Sequence, residues 1–262
     1  IKPPNYCRVF VNFISDKINS TLLSSFPELV SGISSRNGGA SPEPFGMNMS
    51  YNVGDDPKRV GENRNRFFSS LGIDEADVAF TRQVHGDKII YADRPGSFGE
   101  CDALYTDRPG VHLAISIADC IPILLFAPRQ RFVAAVHSGW RGSELRILSK
   151  TIEMATNRFG SSPQEIVAYI GPAAGGCCYE VGEEVAKRFP SSCVLRNNYA
   201  KPHLDLKEFN RQLLLEAGIQ EKNIDVAAEC TICSPQMLHS YRRDNDRSGR
   251  MLAIIGMAPE KP

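Results

Sequence analysis

Residues 112–137 read HLAISIADCIPILLFAPRQRFVAAVH, and their three apolar runs decide the fold class. Each run is short and rich in β-branched residues, which predicts a strand. The runs cover His112 to Ala118, Ile121 to Phe126, and Phe132 to Val136. Pro122 lacks a backbone N–H, so we expect the middle strand to lie at a sheet edge or to bend there. Asp119 and Cys120 separate the first two strands, and His137 follows the third.

Helices and further strands flank this segment. Asp56 is a predicted N-cap for a helix that Gly72 ends. An apolar stripe over Leu145 to Phe159 predicts a second helix. A third helix is predicted to begin after Asp205 and to stop at Gly218. Because strands and helices are mixed without strict alternation, the class predicted is α+β. The remaining predictions are strands at Tyr6 to Phe13, Val30 to Ser34, Val78 to Val84, Lys88 to Tyr91, Ile166 to Ile170, Ile224 to Ala228 and Met251 to Ile255, and a short helix from about Glu183 to Phe189.

The composition is that of a globular protein. The chain has 262 residues, of which 42% are hydrophobic and 23% charged, which excludes disordered, collagen-like and coiled-coil chains. The 30 basic and 30 acidic residues balance, so bulk charge predicts neither a nucleic-acid nor an anionic-membrane partner. No apolar run reaches the ~20 residues of a membrane span, and no export signal is visible, so we expect a cytoplasmic protein. No Pro/Gly/Ser-rich linker divides the chain, so we expect one domain over residues 1–262.

Eight cysteines are spread along the chain. Without an export signal we expect most of them to be thiols in a reducing compartment, each packed as a small apolar residue. Two spacings stand out, the vicinal pair Cys177-Cys178 and the pair Cys230-Thr-Ile-Cys233. A lone C-x-x-C lacks the second pair of a zinc ribbon, and this one does not open a helix after a strand, as a thioredoxin motif would. We therefore assign neither pair a function from the sequence.

Three potential ligands for a soft metal lie at the ends of predicted strands: His85, Cys120 and His137. Two imidazoles and one thiolate satisfy zinc and leave a fourth position for water, which the metal would acidify toward neutrality. Cys120 and His137 could instead form a thiolate–imidazolium nucleophile. A third interpretation is that all three are buried polar residues with a structural role, since their spacing carries no metal motif of its own.

Several separated motifs occur in an order that resembles one family. The chain is similar over nearly its whole length to the bacterial and animal family called polyphenol oxidase, laccase domain. Members of that family are also described as purine nucleoside phosphorylases and as peptidoglycan editing factors. The motifs that carry the resemblance are Gln83-Val-His-Gly86, Ala118-Asp-Cys-Ile-Pro-Ile-Leu124, His137-Ser-Gly-Trp-Arg-Gly142 and Cys177-Cys-Tyr-Glu-Val-Gly182, with Ser35 to Ser41, Asn48, Ser240 to Asp244 and Gly249-Arg250.

The resemblance implies a fold, an activity and a metal. The fold is α+β, with packed mixed sheets flanked by helices and a more distant likeness to Cys–His toxin deamidases. The activity is phosphorolysis of adenosine, inosine and methylthioadenosine, with adenosine deamination as a second reaction, so the expected partners are purine nucleosides and phosphate. The implied zinc ligands are His85, Cys120 and His137. Asp119 is a candidate acid–base group, or it orients the neighbouring ligand.

Phosphorolysis needs a phosphate site, and the planar fork of arginine binds two phosphate oxygens. Asn48 could bind a ribose hydroxyl or the purine edge, or form an Asx turn. Trp140 could stack on a purine or fill the core. The candidate phosphate ligands are Arg36, Arg64, Arg141, Arg242 and Arg243.

Rival functions also follow from the family names. Blue multicopper oxidases use many His-x-His pairs, whereas this chain has five His and no His-x-His, so it cannot build that copper set. One Cu²⁺ at the same three ligands remains open, because copper outcompetes zinc at sites with nitrogen and sulfur ligands. A Cys–His amide hydrolase acting on cell-wall precursors is a second rival. A structural zinc protein that binds purines or a partner is the non-enzyme rival.

Overall fold

The structure, a computed structural model, describes residues 17–197 and 199–259. The strand predicted at Tyr6 to Phe13 lies outside these residues. The strands in the described ranges are β1 Lys17–Ile18, β2 Leu29–Ser34, β3 Val78–Arg82, β4 Ile89–Tyr91, β5 Gly96–Glu100, β6 Ala103–Thr106, β7 His112–Ile117, β8 Ile121–Ala127, β9 Phe132–Ser138, β10 Val167–Ile170, β11 Val194–Leu195, β12 His203–Leu204, β13 Ile224–Val226 and β14 Met251–Met257. The α-helices are α1 Pro57–Leu71, α2 Trp140–Glu144, α3 Ile147–Phe159, α4 Glu183–Ala186, α5 Leu206–Glu216 and α6 Tyr241–Asp244.

Two six-stranded mixed sheets form the centre of the molecule. The first has the order β1-β2-β14-β7-β3-β5 and the second the order β13-β10-β8-β9-β6-β4, while β11 and β12 form a small separate pair. Most neighbours are antiparallel, but β3 runs parallel to β5 and β7, β10 to β13, and β4 to β6. The α+β class predicted from the sequence is confirmed. No helix in the described ranges is long and apolar enough to cross a membrane.

The central strands are apolar throughout because both of their faces are buried. Val133 and Ala135 of β9 pack between the two sheets, whereas Ala134 and Val136 pack with residues of α3 such as Leu148. Antiparallel strands usually alternate apolar and polar residues, so these continuous runs indicate a layer on each side. The layers are α1, the first sheet, the second sheet, and α3 with α5.

Helix α1 forms where its caps and stripe predict. The Asp56 carboxylate accepts the backbone N–H of Lys58 at 2.8 Å, and Gly72 ends the helix at φ 71°. Phe67 and Phe68 are buried against the outer face of the first sheet. Asp205 likewise caps α5 by accepting the N–H of Glu208.

Three local predictions were wrong. Of the two alternatives given for Pro122, the sheet edge was wrong, because β8 lies between β10 and β9. Pro122 fits there because pairing with β10 begins only at Ile123. The helix predicted from Leu145 to Phe159 begins only at Ile147, as α3, because Arg146 takes a left-handed conformation at φ 58°. Leu145 instead ends the preceding α2 and is exposed. The helix expected to reach Phe189 ends as α4 at Ala186.

Candidate metal centre

Three strand ends bring His85, Cys120 and His137 together. Their ligand atoms all lie within 4.8 Å of one another. His85 follows β3, Cys120 immediately precedes β8, and His137 is near the end of β9. His85 has φ 60° and Asp119 φ 91°, so left-handed residues turn the chain tightly where two of the ligands are presented.

Asp102 positions His85 and His137 through hydrogen bonds. Its carboxylate is fully buried and accepts the backbone N–H groups of Val84, His85 and Gly86 at 3.2, 3.0 and 2.9 Å. It also bonds His137 Nδ1 at 2.8 Å, which leaves Nε2 as the nitrogen available to a metal. A carboxylate that fixes the ring of a metal-binding histidine raises its basicity and sets its tautomer. Asp102 was not identified as a site residue from the sequence, where its signal is an acidic residue directly before the apolar strand β6.

The electrostatics favour the charged forms of the central pair. Burial opposes ionisation of the Cys120 thiol, but the charge and hydrogen bonds of His137 and His85 outweigh it and lower the pKa of Cys120 to about 6. Burial also opposes the charge on His137, yet Cys120 and Asp102 raise the pKa of that imidazole to about 9. The thiolate is the form of cysteine that binds metals and attacks electrophiles, so this arrangement suits either chemistry.

Gly139 lies in close contact with two of the candidate ligands. A Cβ at this position would lie 3.1 Å from Cys120 Sγ and 3.2 Å from His85 Cδ2. The glycine of the His-Ser-Gly-Trp motif therefore makes room for two of the three ligands.

Asp119 holds the loop that carries Cys120. Its Oδ1 accepts the Thr231 hydroxyl at 2.5 Å, and its Oδ2 accepts the backbone N–H of Arg242 at 2.6 Å. The backbone carbonyl of Asp119 accepts the N–H of Ala174 at 2.9 Å. Because both carboxylate oxygens are occupied, the geometry favours the orienting role over that of an acid–base group.

The three candidate ligands line a cavity of about 870 Å³. This volume is within the usual range of small-molecule sites. Basic and aromatic side chains share its wall: Arg64, Arg82, Arg141, Arg242 and Arg250, with Tyr51, Phe80, Trp140, Tyr179 and Tyr241.

Three of the arginines proposed from the sequence line the cavity. Arg64 donates to the Met49 carbonyl at 2.8 Å and is paired with Glu75. Arg242 donates to the Glu180 carbonyl, and the exposed Arg141 guanidinium lies over the ring of Trp140 at 4.3 Å.

Arg36, Arg243 and Asn48 lie outside the residues that line the cavity. Arg36 is paired with Glu43, and Arg243 donates to the carbonyls of residues 231 and 238. Asn48 is fully buried and accepts the N–H of Ser50, as in the Asx turn considered from the sequence. It also accepts the backbone N–H of residue 250.

Arg250 lines the cavity but was not predicted as a phosphate ligand from the sequence. Burial lowers the pKa of its guanidinium, although the charges of Asp119, Tyr241 and Cys120 act in the opposite direction. Its Nη1 donates to the carbonyls of Ser248 and Gly249 at 2.8 and 3.0 Å. These bonds hold one edge of the Arg250 guanidinium in the cavity that the candidate metal ligands also line.

Comparison with known proteins decides the family. The description "Multi-copper polyphenol oxidoreductase laccase" matches residues 30–258. The chain belongs to this laccase family. Other proteins similar to this laccase-family chain carry a different name. "Purine nucleoside phosphorylase" of Deinococcus radiodurans is 41% identical over 226 residues, covering 85% of this chain and 87% of that protein. "Purine nucleoside phosphorylase YlmD" of Bacillus subtilis is 33% identical over 247 residues, covering 88% and 89%.

Solved structures share the fold of this laccase-family chain. The structure of YlmD from Geobacillus stearothermophilus matches with a TM-score of 0.87 and 34% identity, covering 95% of this chain and 99% of that one. The hypothetical protein YfiH of Bacillus licheniformis matches with a TM-score of 0.83 and 35% identity, covering 87% and 92%. The resemblance stated from the sequence motifs is confirmed, and relatives named as phosphorylases support an enzyme.

Proposed function

We propose that this protein is a zinc-dependent purine nucleoside phosphorylase that accepts adenosine, inosine and methylthioadenosine and also deaminates adenosine. The observation that carries the proposal is one cavity of about 870 Å³ that contains a two-histidine, one-cysteine ligand set beside five arginines and five aromatic rings. The names of the relatives support the same reaction.

The chemistry of the ligands fits zinc. Two imidazoles and one thiolate make three of four tetrahedral ligands and leave one position for substrate or water. When bound there, zinc would supply Lewis-acid polarisation. His85 and His137 are the histidines of this set; the chain's other three lie apart from it, with His112 and His239 buried elsewhere and His203 bonded to the Gly176 carbonyl. A multi-copper reaction needs more histidines at one place than this arrangement supplies.

The arginines and aromatic residues have separate tasks in phosphorolysis. The reaction joins a phosphate oxygen to C1′ of the ribose and breaks the bond from C1′ to the purine nitrogen. Arg250 and Arg141 would hold the phosphate, since guanidinium groups bind phosphate oxygens in pairs. Trp140 and Tyr179 would stack on the purine. Asp119 is not assigned as the proton donor, because both of its oxygens accept hydrogen bonds.

The decisive experiment is chromatography of the products formed from adenosine and inosine, with and without phosphate. Wild type and Cys120→Ala would be compared after their zinc content has been measured, with Cys193→Ala as a buried cysteine control outside the site. We expect free base and ribose 1-phosphate only with phosphate, and only from wild type and the control. Inosine formed from adenosine without phosphate would establish the deaminase. A zinc-loaded wild type that changes neither nucleoside contradicts the proposal.

A second candidate function rests on the arrangement of Cys120, His137 and Asp102, in which His137 lies between the other two. The order of thiolate, imidazole and carboxylate is that of a cysteine hydrolase, and the low pKa of Cys120 suits a nucleophile. Such an enzyme would cleave an amide, for example in a peptidoglycan precursor. Chelation separates the two functions. A phosphorylase loses activity when zinc is removed and regains it when zinc is returned, whereas a thiol hydrolase is active on amides after chelation.

A further inference from the structure

The two cysteine pairs that the sequence left without a function converge in the fold. The sulfur atoms of Cys177, Cys178, Cys230 and Cys233 all lie within 4.8 Å of one another. Cys233 Sγ is 3.1 Å from Cys178 Sγ and 3.7 Å from Cys177 Sγ. We propose that this four-cysteine cluster is a second metal site, which binds Zn²⁺ as a structural tetrathiolate centre in the reduced protein.

The spacing of the sulfurs matches a tetrahedral metal. Zinc–sulfur bonds of about 2.3 Å in a tetrahedron put the sulfurs about 3.8 Å apart. The observed separations lie around this value, so small side-chain rotations suffice to seat the ion. Four soft sulfur ligands in this geometry select zinc over magnesium or calcium. Each bound thiol gives its proton to solvent.

Backbone contacts hold the two pairs in place. Ala173 and Cys230 form a parallel β-bridge, and the N–H of Thr231 donates to the Ala173 carbonyl at 3.0 Å. Gly175 donates its N–H to Cys230 Sγ at 3.3 Å. An N–H aimed at a sulfur stabilises its thiolate, the form that binds metal. The chain's own contacts therefore join the loop before α4 to the segment after β13 at the cluster.

The surroundings also supply counter-charge. A tetrathiolate zinc centre carries two negative charges. The ammonium of Lys207 donates to the carbonyls of Ala227 and Glu229, directly before Cys230, and is attracted by the charges of Cys230 and Cys177. The positive charge of Lys207 therefore favours negative charge at the cluster.

Cys233 is disulfide-bonded in this structure, so the proposed site belongs to the chain after reduction. The same sulfur cannot serve a disulfide and a metal together. A reductant of the phosphine class converts the disulfide to thiols and is itself oxidised, and the metal is added afterwards.

The cluster is linked to the candidate active site. Thr231, beside Cys230, donates to Asp119, and Ala174 donates to the Asp119 carbonyl. Both segments of the cluster therefore hold the residue that precedes Cys120. A metal here would fix the loop that presents this ligand.

The test uses Co²⁺ as a spectroscopic probe of zinc sites in a Cys120→Ser background, which removes the only thiolate of the other centre. The full chain is reduced with a phosphine, freed of metal and titrated anaerobically. We expect one tight equivalent of Co²⁺ with the intense visible absorption of tetrahedral cobalt–thiolate coordination. Adding Cys230→Ser should abolish this signal, and adding Cys193→Ser, a buried cysteine outside the cluster, should leave it unchanged.

Zinc X-ray absorption provides a readout that does not depend on folding of a cluster variant. Zinc-loaded Cys120→Ser protein should show four sulfur neighbours at about 2.3 Å. The proposal is overturned if the fully reduced Cys120→Ser chain takes up no Co²⁺, or if its bound zinc has nitrogen neighbours in place of the four sulfurs.

Discussion

The Asp102 carboxylate accepts three consecutive backbone N–H groups and bonds His137 Nδ1 at 2.8 Å. One buried side chain thus fixes both the turn that carries His85 and the ring of His137. Burial opposes its charge, but the hydrogen bond from His137 and those from Gly86 and Val84 lower the pKa of Asp102. These contacts therefore favour the ionised carboxylate beside the candidate ligands.

Asp102→Asn should weaken zinc binding. The amide keeps the shape but loses the charge that raises the basicity of His137, and we expect a 10- to 100-fold loss of zinc affinity, the usual cost of removing such a partner. Competition with a chromophoric chelator measures it. Asp107→Asn is the control, because this carboxylate bonds Tyr91 away from the cavity. Equal zinc affinity in both variants would contradict the orienting role.

Gly139→Ala should damage the same centre by crowding. Its Cβ would press against Cys120 Sγ and His85 Cδ2 at 3.1 and 3.2 Å. Overpacking of this kind costs about 1–3 kcal/mol, so we expect zinc affinity to fall by at least about fivefold. Gly61→Ala in α1 is the matched control, because its Cβ meets only Tyr51 Oη at an ordinary 3.6 Å and alanine favours a helix. Competition with the chromophoric chelator measures the zinc affinity of both variants. An unchanged affinity in Gly139→Ala would show that a glycine is not needed at this position.

Arg250→Gln should raise the KM for phosphate. A charged hydrogen bond to an anion is worth about 1.5–3 kcal/mol, which corresponds to a change of about 10- to 100-fold. Arg250→Lys should recover only part of this loss, because lysine lacks the planar fork. Arg247→Gln, an exposed neighbour outside the cavity lining, serves as the control and should leave KM unchanged. Steady-state kinetics with varied phosphate concentration measure these KM values. Equal KM values in wild type and Arg250→Gln would show that Arg250 does not bind phosphate.

His239→Phe should reduce the amount by which the free energy of unfolding falls as the pH is lowered. His239 is fully buried, and neither ring nitrogen has a hydrogen-bond partner among the described residues. Burial, together with the charge of Arg36, lowers the pKa of its imidazole to about 3. The unfolded chain takes up the proton near pH 6.5 and the folded chain does not, so the free energy of unfolding falls by about 1.4 kcal/mol per pH unit as pH decreases from about 6.5 toward 3.

Urea denaturation of wild type and His239→Phe at pH 8, 6 and 5 measures this effect. The difference between the two proteins should be constant above pH 7.5 and should shift in favour of the variant below about pH 6.5. A difference that stays the same down to pH 5 would mean that His239 takes up its proton in the folded protein.

Local chemistry could be predicted from the sequence. Asp56, Gly72 and Asp205 act as caps because their geometry depends on a few neighbouring residues. Continuous apolar runs predicted the central strands, and polar residues at strand ends pointed to His85, Cys120 and His137. The residue types left zinc binding as one of three interpretations of that set, and the family resemblance implied it.

Tertiary structure decided which distant residues meet. Asp102 reaches His137 across β6 and β9, Arg250 enters the cavity from the start of β14, and the cysteine pairs near residues 177 and 230 join through a β-bridge. Each contact spans tens of residues and depends on strand order and register, which periodicity along one segment does not encode. The sequence by itself therefore determined the elements and the ligand types, while sheet packing decided which carboxylate, arginine and thiols lie beside one another.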